Sequence, residues 1–161
     1  MNTTNKKQAL HPAWIVGFID GEGTFSVSLL GNKTIALNYQ VQLRFIITQH
    51  VRDIELIEDI HKFFGCGHLV KDTDTKIQYR ITGIDNLEKY LFPLLDKYPL
   101  RTKKSLDADV FRKIYNMMKN KEHLIPQGVS EIRYLKSTIN RGRVFNKDVN
   151  LYLQIKIDPF L

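Results

Sequence analysis

Cysteine is nearly absent from this chain: Cys66 is the only one in 161 residues. That excludes an internal disulfide and any cysteine-built zinc site, and it suits a reducing compartment. The histidines His11, His50, His61, His68 and His123 show no metal-ligand spacing. No apolar run approaches the ~18 residues that a bilayer span requires, so no membrane is expected as a partner. The opening Met1 to Gln8 lacks the apolar stretch of a secretory signal, and an intracellular setting is expected. Low-complexity segments and a second copy of the first apolar segment with its turn are missing too. With 43% apolar and 25% charged residues, the composition excludes disordered and fibrous classes. A length of 161 residues suits one domain over 1–161 with a single well-filled core.

Positive charge is what the chain has in excess. Lys and Arg number 24 against 17 acids, a net +7, and the pI is near 9.5. Up to Gly83, nine basic residues face eight acidic ones; beyond it, fifteen face nine. A polyanion is the natural partner of such a chain.

Periodicity supplies the architecture. His11-Pro12 opens the first element, with Pro12 suited to a first helical position. Ala13 to Ile19 is apolar all the way round, which predicts a helix buried on every side. It ends at Asp20-Gly21-Glu22-Gly23, where two glycines permit a sharp turn. The period then changes to two. Phe25, Val27 and Leu29 alternate with Thr24, Ser26 and Ser28; Tyr39, Val41, Leu43, Phe45 and Ile47 alternate with Asn38, Gln40, Gln42 and Arg44. Ile77, Tyr79 and Ile81 alternate with Lys76, Gln78, Arg80 and Thr82, and His68 to Asp72 is the hairpin partner, turning at Thr73 to Thr75.

Helices fill the gaps. Asp53 is placed to cap a helix with Ile54, Ile57, Ile60, Phe63 and Phe64 inward, stopped by Gly65 and Gly67. Asp85-x-x-Glu88 resembles a capping box before Leu87, Tyr90, Leu91 and Phe92, with Pro93 kinking or ending that helix. Ser105 to Lys121 carries Leu106, Val110, Ile114, Met117 and Met118 at helical spacing, and Ser130 is a candidate cap for a last helix through Ile139. The fold class is α+β: an α-ββ-α-ββ-α core, its four-stranded antiparallel sheet backed by helices, plus C-terminal helices. The core spans about residues 10–140. The tail, 141–161, alternates again at Leu151, Leu153, Ile155 and Ile157, as a late strand or a docked arm.

The outward sheet residues carry no acid. Ser26, Ser28, Asn38, Gln40, Gln42, Arg44, Lys76, Gln78, Arg80 and Thr82 are rich in the amide and guanidinium groups that pair with base edges. Asn32, Lys33 and Lys71 join them as candidate nucleic-acid contacts, the lysines to phosphate. A merely solvated face is the competing reading.

The first helix ends on two carboxylates, Asp20 and Glu22, where the helix dipole disfavours negative charge. A divalent cation is the obvious compensation, since hard cations prefer carboxylate and carbonyl oxygen. A plain polar turn is the alternative.

Ile15-Val16-Gly17-Phe18-Ile19-Asp20-Gly21-Glu22-Gly23 resembles the LAGLIDADG motif of intron- or intein-encoded homing endonucleases. The element order and the basic segment Tyr98-Pro99-Leu100-Arg101-Thr102-Lys103-Lys104 are similar to that family as well. The resemblance implies a site-specific double-strand DNA endonuclease with a long, roughly palindromic target. It implies Mg²⁺ held by Glu22 with the Gly21 carbonyl nearby, with Mn²⁺ or Ca²⁺ able to substitute in binding. Asp20 is implied to stabilise the turn, Gln49 to order water, and Lys103 or Lys104 to meet the scissile phosphate; Arg52 is a weaker candidate. One motif implies a homodimer through Ala13, Val16, Gly17 and Asp20 of the motif helix. Intron RNA is a further partner if the chain acts as a splicing maturase, and single-motif members are often organellar. Glu22 stands where the name-giving motif has Asp, as in many active members. A non-cleaving DNA-binding protein and a structural dimerisation module are the rival readings.

Overall fold

The computed structural model of the chain describes residues 9–34 and 39–140. Asn38 and the alternating tail 141–161 lie outside the described residues. Helix α1 (Pro12–Glu22) leads into a hairpin of β1 (Gly23–Gly31) and β2 (Tyr39–His50). Helix α2 (Ile54–Phe64) crosses to a second hairpin, β3 (His68–Lys71) and β4 (Lys76–Thr82). Then come α3 (Ile84–Asn86), α4 (Phe92–Lys97), α5 (Lys104–Lys119) and α6 (Pro126–Ser137). This is the α+β order that the periodicity implied.

The strands form one antiparallel sheet in the order β1-β2-β4-β3. Strict alternation puts Phe25, Val27, Val41, Leu43, Phe45, Ile47, Ile77, Tyr79 and Ile81 on one face, all buried. The helices cover that face. Ile15 and Ile19 of α1, Ile57 and Ile60 of α2, Phe111 and Ile114 of α5, and Ile132 of α6 close a single core. At roughly 1.5–3 kcal/mol for each fully buried large side chain, this face is what fixes the register.

Five local expectations are corrected. Helix α1 is buried on one side only: Ile15, Val16 and Ile19 face the core, while Trp14 is 44% exposed. One chain has only one core to offer it. At α2, Asp53 makes no side-chain cap; the capping group is His50, whose Nδ1 accepts from the Arg52 N–H at 3.1 Å and opens a short 3₁₀ turn, Val51–Asp53. The inward stripe is Ile57, Ile60 and Phe64, with Ile54 exposed at the helix start. Asp85 and Glu88 form no capping box, because the Glu88 carboxylate binds Lys119 Nζ at 2.8 Å across to α5. Ser130 lies inside α6, which starts four residues earlier at Pro126, a residue preorganised for a first helical turn.

Pro93 does not end its helix. A π-helical turn, Leu87–Leu91, with the Phe92 N–H bonded to the Leu87 carbonyl, absorbs the register change before Pro93 enters the first turn of α4. Gly65 closes α2 in the left-handed conformation at φ 66°, as its position after Phe64 suggested.

Candidate active site and nucleic-acid interface

Four carbonyls at a helix C-terminus lack intrahelical partners and carry partial negative charge. In α1 that end bears Asp20 and Glu22 and no basic residue in its last turn. The compensation comes from the segment before α5. Asp20 accepts three hydrogen bonds there: from the Arg101 N–H at 2.6 Å, the Thr102 N–H at 3.1 Å and the Thr102 hydroxyl at 2.6 Å. Burial on its own would raise the Asp20 pKa, but these bonds, with Lys104 nearby, hold it below the ordinary value. Asp20 thus ties α1 to the start of α5.

Lys104 completes that tie. Its Nζ donates to the Ile19 and Gly21 carbonyls, each at 3.2 Å. Burial pulls its pKa below the usual lysine value, opposed by the charges of Asp20, Glu22 and Asp107. Lys103 is exposed and stands one residue before α5; both lysines line an open groove with Gly23, Thr24, Thr102, Asp107 and Asn140. The two lysines that sequence reasoning left open therefore differ in one respect: Lys104 is half-buried and bonded to the acidic tip of α1, while Lys103 is exposed.

Glu22 ends α1 exposed, and the chain turns directly into β1 at Gly23. A side chain at Gly23 would put its Cβ 2.7 Å from the Ile19 carbonyl oxygen, so the close turn requires glycine. The pairing Gly23↔Ile47 sets the end of β2 level with the end of α1, and Gln49 lies two residues beyond it, half-buried. Arg52 is exposed, with its Nε 3.5 Å from the Asp53 carboxylate.

The register fixes the solvent face of the sheet as rows: Ser26–Arg44–Thr82, Ser28–Gln42, Thr24–Ile46–Arg80–His68 and Thr48–Gln78–Val70. Gln40 and Lys76 extend it at either end, opposite Leu30 and His50. Both arginines are oriented by neighbours on this face. Arg44 donates to the Ser28 hydroxyl at 2.9 Å, and Arg80 Nε donates to Gln78 Oε1 at 2.8 Å. Lys33 is exposed in the turn after β1, beside Asn32, whose Oδ1 accepts from the Thr34 N–H at 3.0 Å. Lys71 does not belong to this face. It pairs with Ile77, on the core-facing parity, and its Nζ lies 2.7 Å from Asp74 at the hairpin tip.

Helix α1 keeps an open side. Trp14 stacks on Phe18 with ring centroids 5.1 Å apart, and among the described residues no atom beyond the helix's own neighbouring backbone lies within 4 Å of a Cβ placed at Gly17 or Gly21. Ala13, Val16, Gly17 and Asp20 line one groove with Tyr98 and Arg101. Val16 is 4% exposed and belongs to the chain's own core, and Asp20 is engaged by the 101–102 backbone, so Ala13 and Gly17 are the exposed members.

Residues 15–115, which hold the acidic tip, the sheet and Lys104, match the family model described as LAGLIDADG endonuclease. The chain belongs to the LAGLIDADG endonuclease family. It is 34% identical over 127 residues to probable intron-encoded endonuclease 2 of Neurospora crassa, covering 78% of this chain and 26% of that protein. The I-SmaMI LAGLIDADG homing endonuclease bound to cleaved DNA superposes with a TM-score of 0.82 at 35% identity, over 89% of this chain and 48% of that one. The homing endonuclease I-TnaI superposes with a TM-score of 0.79 at 37% identity, over 94% of this chain and 100% of that one. The chain thus spans about a quarter of the Neurospora relative and about half of I-SmaMI.

The oxygens at the LAGLIDADG motif suit a hard divalent ion: an exposed Glu22 carboxylate and the Gly21 carbonyl. Among the described residues no three His, Cys, Asp or Glu side chains cluster as a ready-made metal cage. Mg²⁺ commonly needs none, being held by one or two carboxylates together with substrate phosphates. The candidate contacts read from the sequence left out several residues of the outward sheet face. Thr24, Ile46, Thr48, His68 and Val70 share the outward face. Carrying the alternation of β2 past Arg44 would have found Ile46 and Thr48; their apolar and small character masked them. No helix among the described residues is long and apolar enough to cross a membrane.

Proposed function

We propose that this chain is a homodimeric, divalent-metal-dependent endonuclease that cuts double-stranded DNA at a long, roughly palindromic site. The observation that carries the reading is the meeting of Glu22, the Gly21 carbonyl and the Lys104 ammonium at the end of α1, where β1 begins its outward row of base-reading side chains. In this reading Glu22 and the Gly21 carbonyl hold Mg²⁺, for which Mn²⁺ or Ca²⁺ substitutes in binding; I-SmaMI has been described bound to uncleaved DNA in the presence of calcium ions. The ion supplies Lewis acidity to the scissile phosphate and acidifies a water.

The chain's own residues do the rest. Gln49, at the same end of the sheet, orients the attacking water, and Lys104 meets the charge that develops on the phosphate. Arg44 and Arg80, held by Ser28 and Gln78, present planar donor forks to guanine edges, while Gln40, Gln42 and Gln78 suit adenine. Asp20 keeps the Lys104 segment against α1 without serving as a metal donor. Two copies meet through the open side of α1, around Ala13 and Gly17, so that each supplies one Glu22 and one sheet; a two-fold dimer reads a two-fold target. An intron-encoded, organellar origin is part of the same proposal, supported by the intron-encoded Neurospora relative.

Cleavage of a randomised plasmid library with and without Mg²⁺, comparing wild type with Glu22→Gln, tests the reading. Metal-dependent linearisation that the variant loses supports it. Salt-sensitive DNA binding without cleavage under any metal favours a non-cleaving DNA-binding protein, and unchanged cutting by Glu22→Gln rejects Glu22 as a metal donor.

A further inference from the structure

Lys104 stands where the proposed ion must bind. Its Nζ occupies the Gly21 carbonyl at 3.2 Å and shares itself with the Ile19 carbonyl at the same distance. A divalent ion takes a carbonyl oxygen at about 2.0–2.6 Å. Ion and ammonium on the same oxygen would therefore be no more than about 6 Å apart, with half-buried surroundings screening their repulsion poorly. Asp20 does not offer the ion an alternative donor, because Arg101 and Thr102 already fill its carboxylate.

We propose that Lys104 is the resident cation of the α1 terminus, holding its last carbonyls in the metal-free protein and leaving Gly21 when a divalent ion arrives. The inference rests on the reading of Glu22 and Gly21 as the ion's donors. The local chain is built for such an exchange. The Lys104 N–H bonds the Thr102 hydroxyl at 3.2 Å, and Thr102 is itself fixed to Asp20, so the start of α5 stays in place. Only the flexible four-carbon stem of the side chain needs to move. The open groove that Lys104 already lines, with Gly23, Thr24, Lys103 and Asp107, gives it room to swing. Metal loading and delivery of a positive charge toward the DNA backbone are then one event, and without the ion Lys104 stays on α1.

The test follows the Lys104 ammonium itself. In ¹⁵N NMR of the full chain in EDTA, an ammonium bound to two carbonyls gives a slowly exchanging resonance, assigned by its loss in Lys104→Met or Lys104→Arg. Titration with Ca²⁺ is followed in parallel by calorimetry. The proposal expects that resonance to vanish as Ca²⁺ saturates the wild type, and Lys104→Met to bind Ca²⁺ about tenfold more tightly, since a neighbouring like charge has gone. Ca²⁺ binding that depends on Glu22 but leaves the resonance in place overturns the exchange and leaves the metal reading intact. Equal Ca²⁺ affinity in wild type and Glu22→Gln overturns the donor assignment, and the exchange with it. If Lys104→Met fails to fold, the wild-type resonance and calorimetry still decide.

Discussion

Asp20 and Glu22 are two residues apart, yet the fold gives them opposite tasks. Asp20 is filled with hydrogen bonds from Arg101 and Thr102, and Glu22 is left exposed. Asp20→Asn should therefore destabilise the chain by roughly 1–3 kcal/mol, read by urea unfolding, because charge-assisted bonds are lost. The Asp20 pKa is lowered in the fold, so its contribution is complete above the ordinary value of 3.8 and is lost as pH falls through the lower folded value. The gap between wild type and Asp20→Asn should accordingly close in acid. Glu22→Gln should leave stability within about 0.5 kcal/mol while lowering cleavage at least about a hundredfold, with DNA affinity in Ca²⁺-free buffer unchanged. The motif was legible as a string; the division of labour was not. Asp20 finds its partners 81 and 82 residues away, a pairing that no local spacing encodes.

Strands were easier to read than helix starts. Alternation is dictated by one buried face, and Val41 to Ile47 and Ile77 to Ile81 show it without interruption. Helix starts depend on which of several competent caps wins. At α2 His50 displaced Asp53, and at α6 Pro126 pre-empted Ser130. A matched pair of variants separates these cases. Ser130→Ala, inside α6 and exposed, should change stability by less than about 0.5 kcal/mol, where loss of a cap would cost about 1 kcal/mol. Gly128→Ala should cost about 1–3 kcal/mol or more by overpacking, since its Cβ would run into the Glu122 carbonyl oxygen. Thermal unfolding of both variants checks the pair. The outward rows make a third point: Ile46 looked like a core residue by chemistry, and only its register with Thr24 and Arg80 puts it on the wet face.

For the whole molecule, the all-apolar reading of α1 failed in an informative way. The sequence pattern demanded burial on every side, and one chain supplies it on one side, leaving Ala13, Trp14 and Gly17 facing outward. In the proposed dimer a second copy of the helix would satisfy the pattern and bring a second Glu22 beside the first. The net charge of +7 would double in such a dimer, so the proposed DNA binding should weaken steeply with salt, with a log–log slope several units negative.

The measurement that bears most directly on this account is sedimentation velocity of the purified chain at micromolar concentration, alone and with duplex DNA. The account predicts a species of twice the 18.8 kDa chain mass, split to monomers by Gly17→Glu on the open side of α1. A wild-type protein that stays monomeric both free and on DNA would contradict it.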